Sequence, residues 1–199
     1  MQILAEVAVP LDEDDIDSGR IFPSRFLRKP YLAGCYADYL FHDERFDTDG
    51  RNHGRHVFDQ EYYRQARILV TGHNFGCGSS RESAVYALRD AGFHCVIAGS
   101  FGEIFEANCR RNNVLAISLP QGQLRQLLDL LLIRPGARVT VDVEHRRVFF
   151  PNGNRVTFRM ATQKLVGSRA SCTELEAAQK MLKHIEFFRR SYEERYPWL

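Results

Sequence analysis

Ser79, Ser80 and Arg81 stand in a row where a glycine-bearing loop meets a helical pattern. Two hydroxyls and one planar guanidinium fork are groups suited to a carboxylate or another small anion. The loop before them, His73-Asn74-Phe75-Gly76-Cys77-Gly78, carries two glycines that permit a tight turn or a close approach to a ligand. Ahead of the loop, Ala66-Arg67-Ile68-Leu69-Val70-Thr71-Gly72 reads as a short buried strand, β-branched at its centre. Behind it, the sequence predicts a helix opening at Ser79, with Ala84, Val85, Ala87, Leu88 and Ala91 on its apolar positions up to Gly92. The free N–H groups of a helix start favour a bound anion. Arg81 in that first turn opposes the helix dipole, so a negative group, ligand or structural acid, is expected beside it.

The same residues admit a plainer account, because Ser79-x-x-Glu82 fits a capping box that starts a helix with no chemistry attached. On this feature alone, cap and anion site stay open. Nucleotide loops do not fit. No Gly-Lys-Ser/Thr closes the loop, and Gly76-x-Gly78 is followed by Arg81 where a dinucleotide fingerprint needs its third glycine.

The run Gly72-His73-Asn74-Phe75-Gly76-Cys77-Gly78-Ser79-Ser80-Arg81-Glu82 resembles the signature of the small subunits of 3-isopropylmalate dehydratase, the swivelling domain of the aconitase superfamily. Ile97 to Asn108 is similar to the second block of that family, a strand leading into a helix that ends near an asparagine. Upstream, Ile21-Phe22-Pro23-Ser24-Arg25-Phe26-Leu27 and Leu40 to Phe46 resemble the early proline segment and the segment after it. The likeness covers about residues 1 to 190 in family order, and several long motifs in sequence are more specific than one glycine loop.

The resemblance implies a hydro-lyase that removes a proton beside a carboxylate and expels the neighbouring hydroxyl as water. It implies Ser79 as the base, acting as an alkoxide held by helix N–H groups and Arg81. It implies substrate contacts from Ser80, Arg81 and Arg28, although Arg28 and Lys29 also suit an ordinary solvated surface. His73, Gly76, Cys77 and Gly78 would shape the site. No cofactor is expected on this chain; the family carries its [4Fe-4S] cluster on a separate large subunit, paired with this one as a heterodimer or heterotetramer. The substrate class is a small hydroxycarboxylate. The chain departs from the family twice: Asp17-Ser18-Gly19, followed by Arg20, stands where the family has an Asp-Thr-Asp triplet, and Ser83 where it has histidine. They keep open a paralogous subunit for homoaconitate or dimethylmalate. A non-catalytic binding module on the same fold is a third reading, since fold does not fix function.

Bulk properties set the rest. The 199 residues suit one domain over 1–199, with 1–120 as a core bearing the active-site loop and 121–199 as C-terminal strands and helix. A net charge of +2, with basic residues spread along the chain and mixed with acids, gives no nucleic-acid footprint. No basic start followed by a long apolar run marks a signal peptide, and no stretch approaches the roughly 20 apolar residues that span a bilayer. Cys35, Cys77, Cys95, Cys109 and Cys172 make no Cys-x-x-Cys pair, so neither zinc nor a self-contained cluster is indicated. Such cysteines suit a reducing cytoplasm. Cys77 reads as a small space-filler, and His42, His53 and His56 as ordinary histidines.

The expected fold class is α/β: a mostly parallel, helix-covered swivelling β/β/α-type sheet, then a C-terminal antiparallel hairpin region and a terminal helix. Residues 3–9 alternate as a first strand before an acidic loop at 10–17. Residues 25–38 read as helical on both sides of Pro30. Residues 47–54 read as a polar, glycine-bearing mobile loop. Strands at 95–98 and 115–119 with a helix near 101–112 continue the alternation that builds a parallel sheet. A leucine-rich helix at 123–132 precedes antiparallel strands at 139–143, 148–150 and 156–160. A long amphipathic helix over 174–192 closes the chain.

Overall fold

The computed structural model describes residues 3–29, 34–158, 182, 186–192 and 194–196. The apolar run Ile3–Leu11 forms β1, the middle strand of a seven-stranded sheet. On one side β1 pairs in parallel with β2 (Ala66–Thr71), and beyond it lie β3 (Cys95–Ala98) and β4 (Leu115–Ser118), also parallel. On the other side β1 runs antiparallel to β5 (Arg138–Asp142), followed by β6 (Arg147–Phe149) and β7 (Arg155–Thr157). The two halves expected from the sequence are thus one continuous sheet, joined through β1.

Pro10 extends β1 where the sequence suggested a loop. Ala8 N donates to Ala137 O, and N–H groups alternate along a strand, so the Pro10 nitrogen points to the β5 side. Pairing with β5 ends at Val7, so no ladder bond is lost there.

Both sheet faces are covered. α3 (Glu82–Asp90) and α4 (Glu103–Arg111) pack Ala84, Val85, Leu88, Phe105 and Cys109 against Val9, Leu69 and Val96. α5 (Gln121–Ile133) packs Leu124, Leu127, Leu128 and Leu131 against Ile68, Val70, Ile97 and Val139. Successive β2 residues therefore serve opposite cores, which is why that strand is apolar throughout.

Between β1 and β2 the described residues make only short turns. α1 (Ser18–Ile21) and α2 (His42–Arg45) are single turns, and Ser24–Arg28 and Ala37–Tyr39 are 3-10 turns. The helices expected over 25–38 do not form in the described part of that segment. Pro23 and Pro30 leave too few residues between them for a stable helix. Side chains organise the segment instead: Phe22 stacks on Tyr36 at 4.7 Å and Phe26 on Tyr39 at 4.3 Å between ring centres. Residues 30–33 lie outside the described part, as do most of 159–199. The chain packs as two compact units, 1–163 and 164–199. In the second unit, residues 186–192 are helical, within the helix expected over 174–192. The last strand ends at Thr157, one residue short of Phe158, and the rest of its expected extension, 159–160, lies outside the described residues.

Candidate active site

Three loops that follow the carboxyl ends of β1, β2 and β3 are laced together by their backbones. Gly72 N donates to Glu13 O at 3.0 Å, and Gly76 N to Ile16 O at 2.7 Å. Phe75 N donates to Ser100 O at 3.1 Å, and Gly102 N to Phe75 O at 2.9 Å. Short bridges pair Asp17 with Cys77 and Phe75 with Phe101. Carboxylates complete the lacing: Asp14 accepts from His73 N at 2.5 Å and Asp15 from Asn74 Nδ2 at 2.7 Å. Within the acidic stretch after β1, the carboxylates of Asp14 and Asp15 therefore hold the glycine loop. The carboxyl ends of parallel strands are where open α/β sheets build ligand sites.

Gly76 adopts φ +72°, and a Cβ there would sit 2.2 Å from Cγ of Phe105. The loop thus lies directly on the α4 ring, and only glycine fits. Gly78, at φ +80°, has room for a Cβ, which would meet only Asp17 Cβ at 3.9 Å, and lines a cavity of about 300 Å³. Ser79 and Arg81 line the same cavity, with Asp17, Ser18, Gly19, Phe22, Ser24 and Leu27 completing it. The cavity therefore offers one guanidinium, three hydroxyls, one carboxylate and two apolar side chains. Asp17 is engaged as the N-cap of α1, accepting from Gly19 N at 2.6 Å and Arg20 N at 3.2 Å.

The helix begins at Glu82, three residues later than the sequence suggested. Its N-cap is Arg81, in extended conformation (φ −106°, ψ 144°), and no side chain caps it. The capping box is absent, and Glu82 turns away to accept from Asn112 Nδ2 at 2.6 Å. Arg81 therefore lies ahead of the first helical turn, exposed at the cavity wall.

The other expected residues take different places. Ser80 is buried, and its hydroxyl finds no partner among the described residues; Ser83 and His73 Nε2 share that state. Arg28 is exposed one residue beyond Leu27, outside the cavity lining. The His73 ring packs over Gly99, where a Cβ would meet Nδ1 at 2.5 Å. Cys77 directs its thiol to Asp15 O at 3.5 Å; burial, then the charges of Asp17 and Asp15, push its pKa up, so it stays a thiol. Burial likewise raises Cys95 and Cys109. Among the described residues no group of three or more His, Cys, Asp or Glu is placed to hold a metal ion. Ser24 and Leu27 belong to the quoted proline segment, yet no local spacing marks them as wall residues. Asp17, Ser18 and Gly19 had one signal, the family's placing of that loop near the cleft.

The fold and this cavity define an α/β domain with hydroxyls and a guanidinium on a cavity wall at the carboxyl ends of parallel strands. Comparison with known proteins narrows that class. The aconitase C-terminal domain family matches residues 2–122. A protein of Dinoroseobacter shibae named 3-isopropylmalate dehydratase small subunit is 41% identical over 157 residues, 79% of this chain and 78% of that protein. One of the same name from Roseobacter denitrificans is 36% identical over 196 residues, 98% and 97% of the two chains. A crystal structure titled 3-isopropylmalate dehydratase, from Methanocaldococcus jannaschii, shares the fold with a TM-score of 0.61 at 24% identity, over 96% of this chain and 99% of that one. The chain belongs to the aconitase C-terminal domain family, among the 3-isopropylmalate dehydratase small subunits.

Proposed function

We propose that this chain is the small subunit of a hydro-lyase that interconverts 2-isopropylmalate and 3-isopropylmalate in leucine biosynthesis. The observation that carries the reading is Ser79 and Arg81 on the wall of one cavity, in a chain whose relatives share that subunit's name. Arg81, without an ion-pair partner among the described residues, takes a substrate carboxylate with its fork. Ser79 Oγ, as an alkoxide, takes the proton from the carbon beside that carboxylate while the hydroxyl leaves the neighbouring carbon to give the alkene. The hydroxyl then re-adds at the first carbon as Ser79 returns its proton to the second, which gives the isomer. Phe22 and Leu27 supply apolar wall for the isopropyl group.

A large subunit completes the enzyme, as a heterodimer or heterotetramer working in the cytoplasm. The described residues of this chain do not form a set that fits an iron–sulfur cluster. We assign the [4Fe-4S] cluster to the large subunit.

Gly19 favours a second reading. It lies in the cavity wall at the place where the family carries an acid, which suits a paralogue for another hydroxy-di- or tricarboxylate. Steady-state assays of the reconstituted pair decide between the two. The expected result is a higher kcat/KM for isopropylmalate than for homoaconitate or dimethylmalate. Preference for a substrate without the isopropyl group overturns the leucine assignment.

A further inference from the structure

We propose that Asn112 is a positioning residue for Arg81, acting through Glu82. The proposal rests on the reading of Arg81 as the carboxylate-binding group. α3 carries the site segment at its start but has no cap of its own to fix where that start lies. Its first residue, Glu82, accepts from Asn112 Nδ2 at 2.6 Å. Near its other end, Arg89 Nη1 donates to Asn112 Oδ1 at 3.4 Å. One amide thus contacts α3 at two points about two turns apart. The amide is itself fixed, because Nδ2 also donates to Asn108 O at 3.0 Å and the residue closes α4 as its C-cap, 8% exposed.

α4 is tied to the site at its opposite end as well. Gly102, its N-cap, donates to Phe75 O, and Phe105 in its first turn lies against Gly76. One rigid helix therefore sets the glycine loop with one end and the start of α3 with the other. Arg81 is covalently next to Glu82, so any slip of that contact moves the guanidinium. The backbone of Gly78 and Cys77 has separate anchors, Ser80 N to Gly78 O at 2.8 Å and Ser18 N to Cys77 O at 3.1 Å. Loss of the Asn112 contact should therefore weaken substrate binding more than it slows chemistry.

The test is kinetics of the reconstituted enzyme with isopropylmalate, well below the melting temperature of each variant. Asn112→Ala is expected to raise KM roughly tenfold, within what a displaced binding group costs, with kcat changed less than about threefold. Asn112→Asp keeps the shape but sets a carboxylate against Glu82, and should raise KM at least as much. Glu82→Gln keeps an acceptor oxygen for Nδ2, so its KM should stay within about twofold of wild type. Glu82→Ala breaks the same contact from the other side and serves if the Asn112 variants fail to fold. The double variant Glu82→Ala/Asn112→Ala should be no worse in KM than the poorer single one, the signature of a shared contact. A stability role alone would lower the melting temperature with KM unmoved, and that result, or additive KM effects, overturns the proposal. Backbone amide resonances of the full chain give a second readout independent of turnover. Asn112→Ala should shift Ser80 and Arg81, while the exposed Arg155→Ala should not. Unmoved resonances overturn the positioning role. A wild-type complex inert on isopropylmalate overturns the functional reading instead, and the resonances then decide the positioning alone.

Discussion

In the proposed mechanism Ser79 transfers the proton and Arg81 binds the carboxylate, and their surroundings at the cavity wall make the two roles separable. Ser79 is exposed and caps nothing, since α3 starts at Glu82 behind an Arg81 N-cap. Ser79→Ala should therefore leave stability within about 0.5 kcal/mol of wild type, as for an ordinary surface change. It should cut kcat of the reconstituted enzyme by about 100-fold or more, the low end for a general base. Melting curves beside kinetics read both, and a variant keeping over about a tenth of wild-type kcat removes Ser79 from the role of base. Arg81→Lys keeps the charge but loses the second arm of the fork. A hydrogen bond to a charged group is worth about 1.5–3 kcal/mol, so kcat/KM should fall roughly tenfold to a hundredfold with KM raised. At this scale the hydroxyl and guanidinium trio was legible as a motif. Whether Ser79 capped a helix was not, because cap and anion site use the same residue types and differ only in where the first turn begins. Ser80 shows the same limit, since burial turns a hydroxyl next to the site into one that the cavity does not reach.

The glycine loop works as an element because it is fastened to its neighbours and not because it is flexible. Asp14, Asp15 and Ile16 hold it from the β1 side, Ser100 and Phe105 from the β3–α4 side. Gly76→Ala would have to accept positive φ and displace the Phe105 ring together. Left-handed backbone costs about 1–2 kcal/mol and overpacking about 1–3 kcal/mol, so a loss of roughly 2–5 kcal/mol is expected in urea unfolding. Gly78→Ala, with the same sign of φ but room for a Cβ, should lose only the backbone part. Equal losses at the two positions would mean that Phe105 does not constrain the loop. The parallel strands and their helices were legible because apolar runs bounded by glycine leave little else to form. The described part of the segment from Ser24 to Tyr39 was not, because Phe26, Tyr36 and Tyr39 pack as stacked rings on short turns, a pattern without helical or strand period. Ser24 and Leu27 enter the cavity through that segment, which is why the apolar wall escaped a reading by spacing.

At the scale of the whole molecule, one strand joins two architectures. β1 receives parallel partners that carry the site and antiparallel partners that extend the sheet away from it. The sequence announced both patterns but not their junction, since pairing β1 with β5 links residues more than 130 apart, a distance no local period can report. In the proposed mechanism this cavity supplies the base and the carboxylate clamp, and the large subunit supplies the group that takes the departing hydroxyl. Turnover of isopropylmalate under anaerobic conditions measures this directly, with this chain alone, the cluster-loaded large subunit alone, and the two mixed. Turnover confined to the mixture, with no iron on the isolated chain, is the predicted result. Turnover by this chain alone, stoichiometric iron bound to it, or an inert mixture would contradict it.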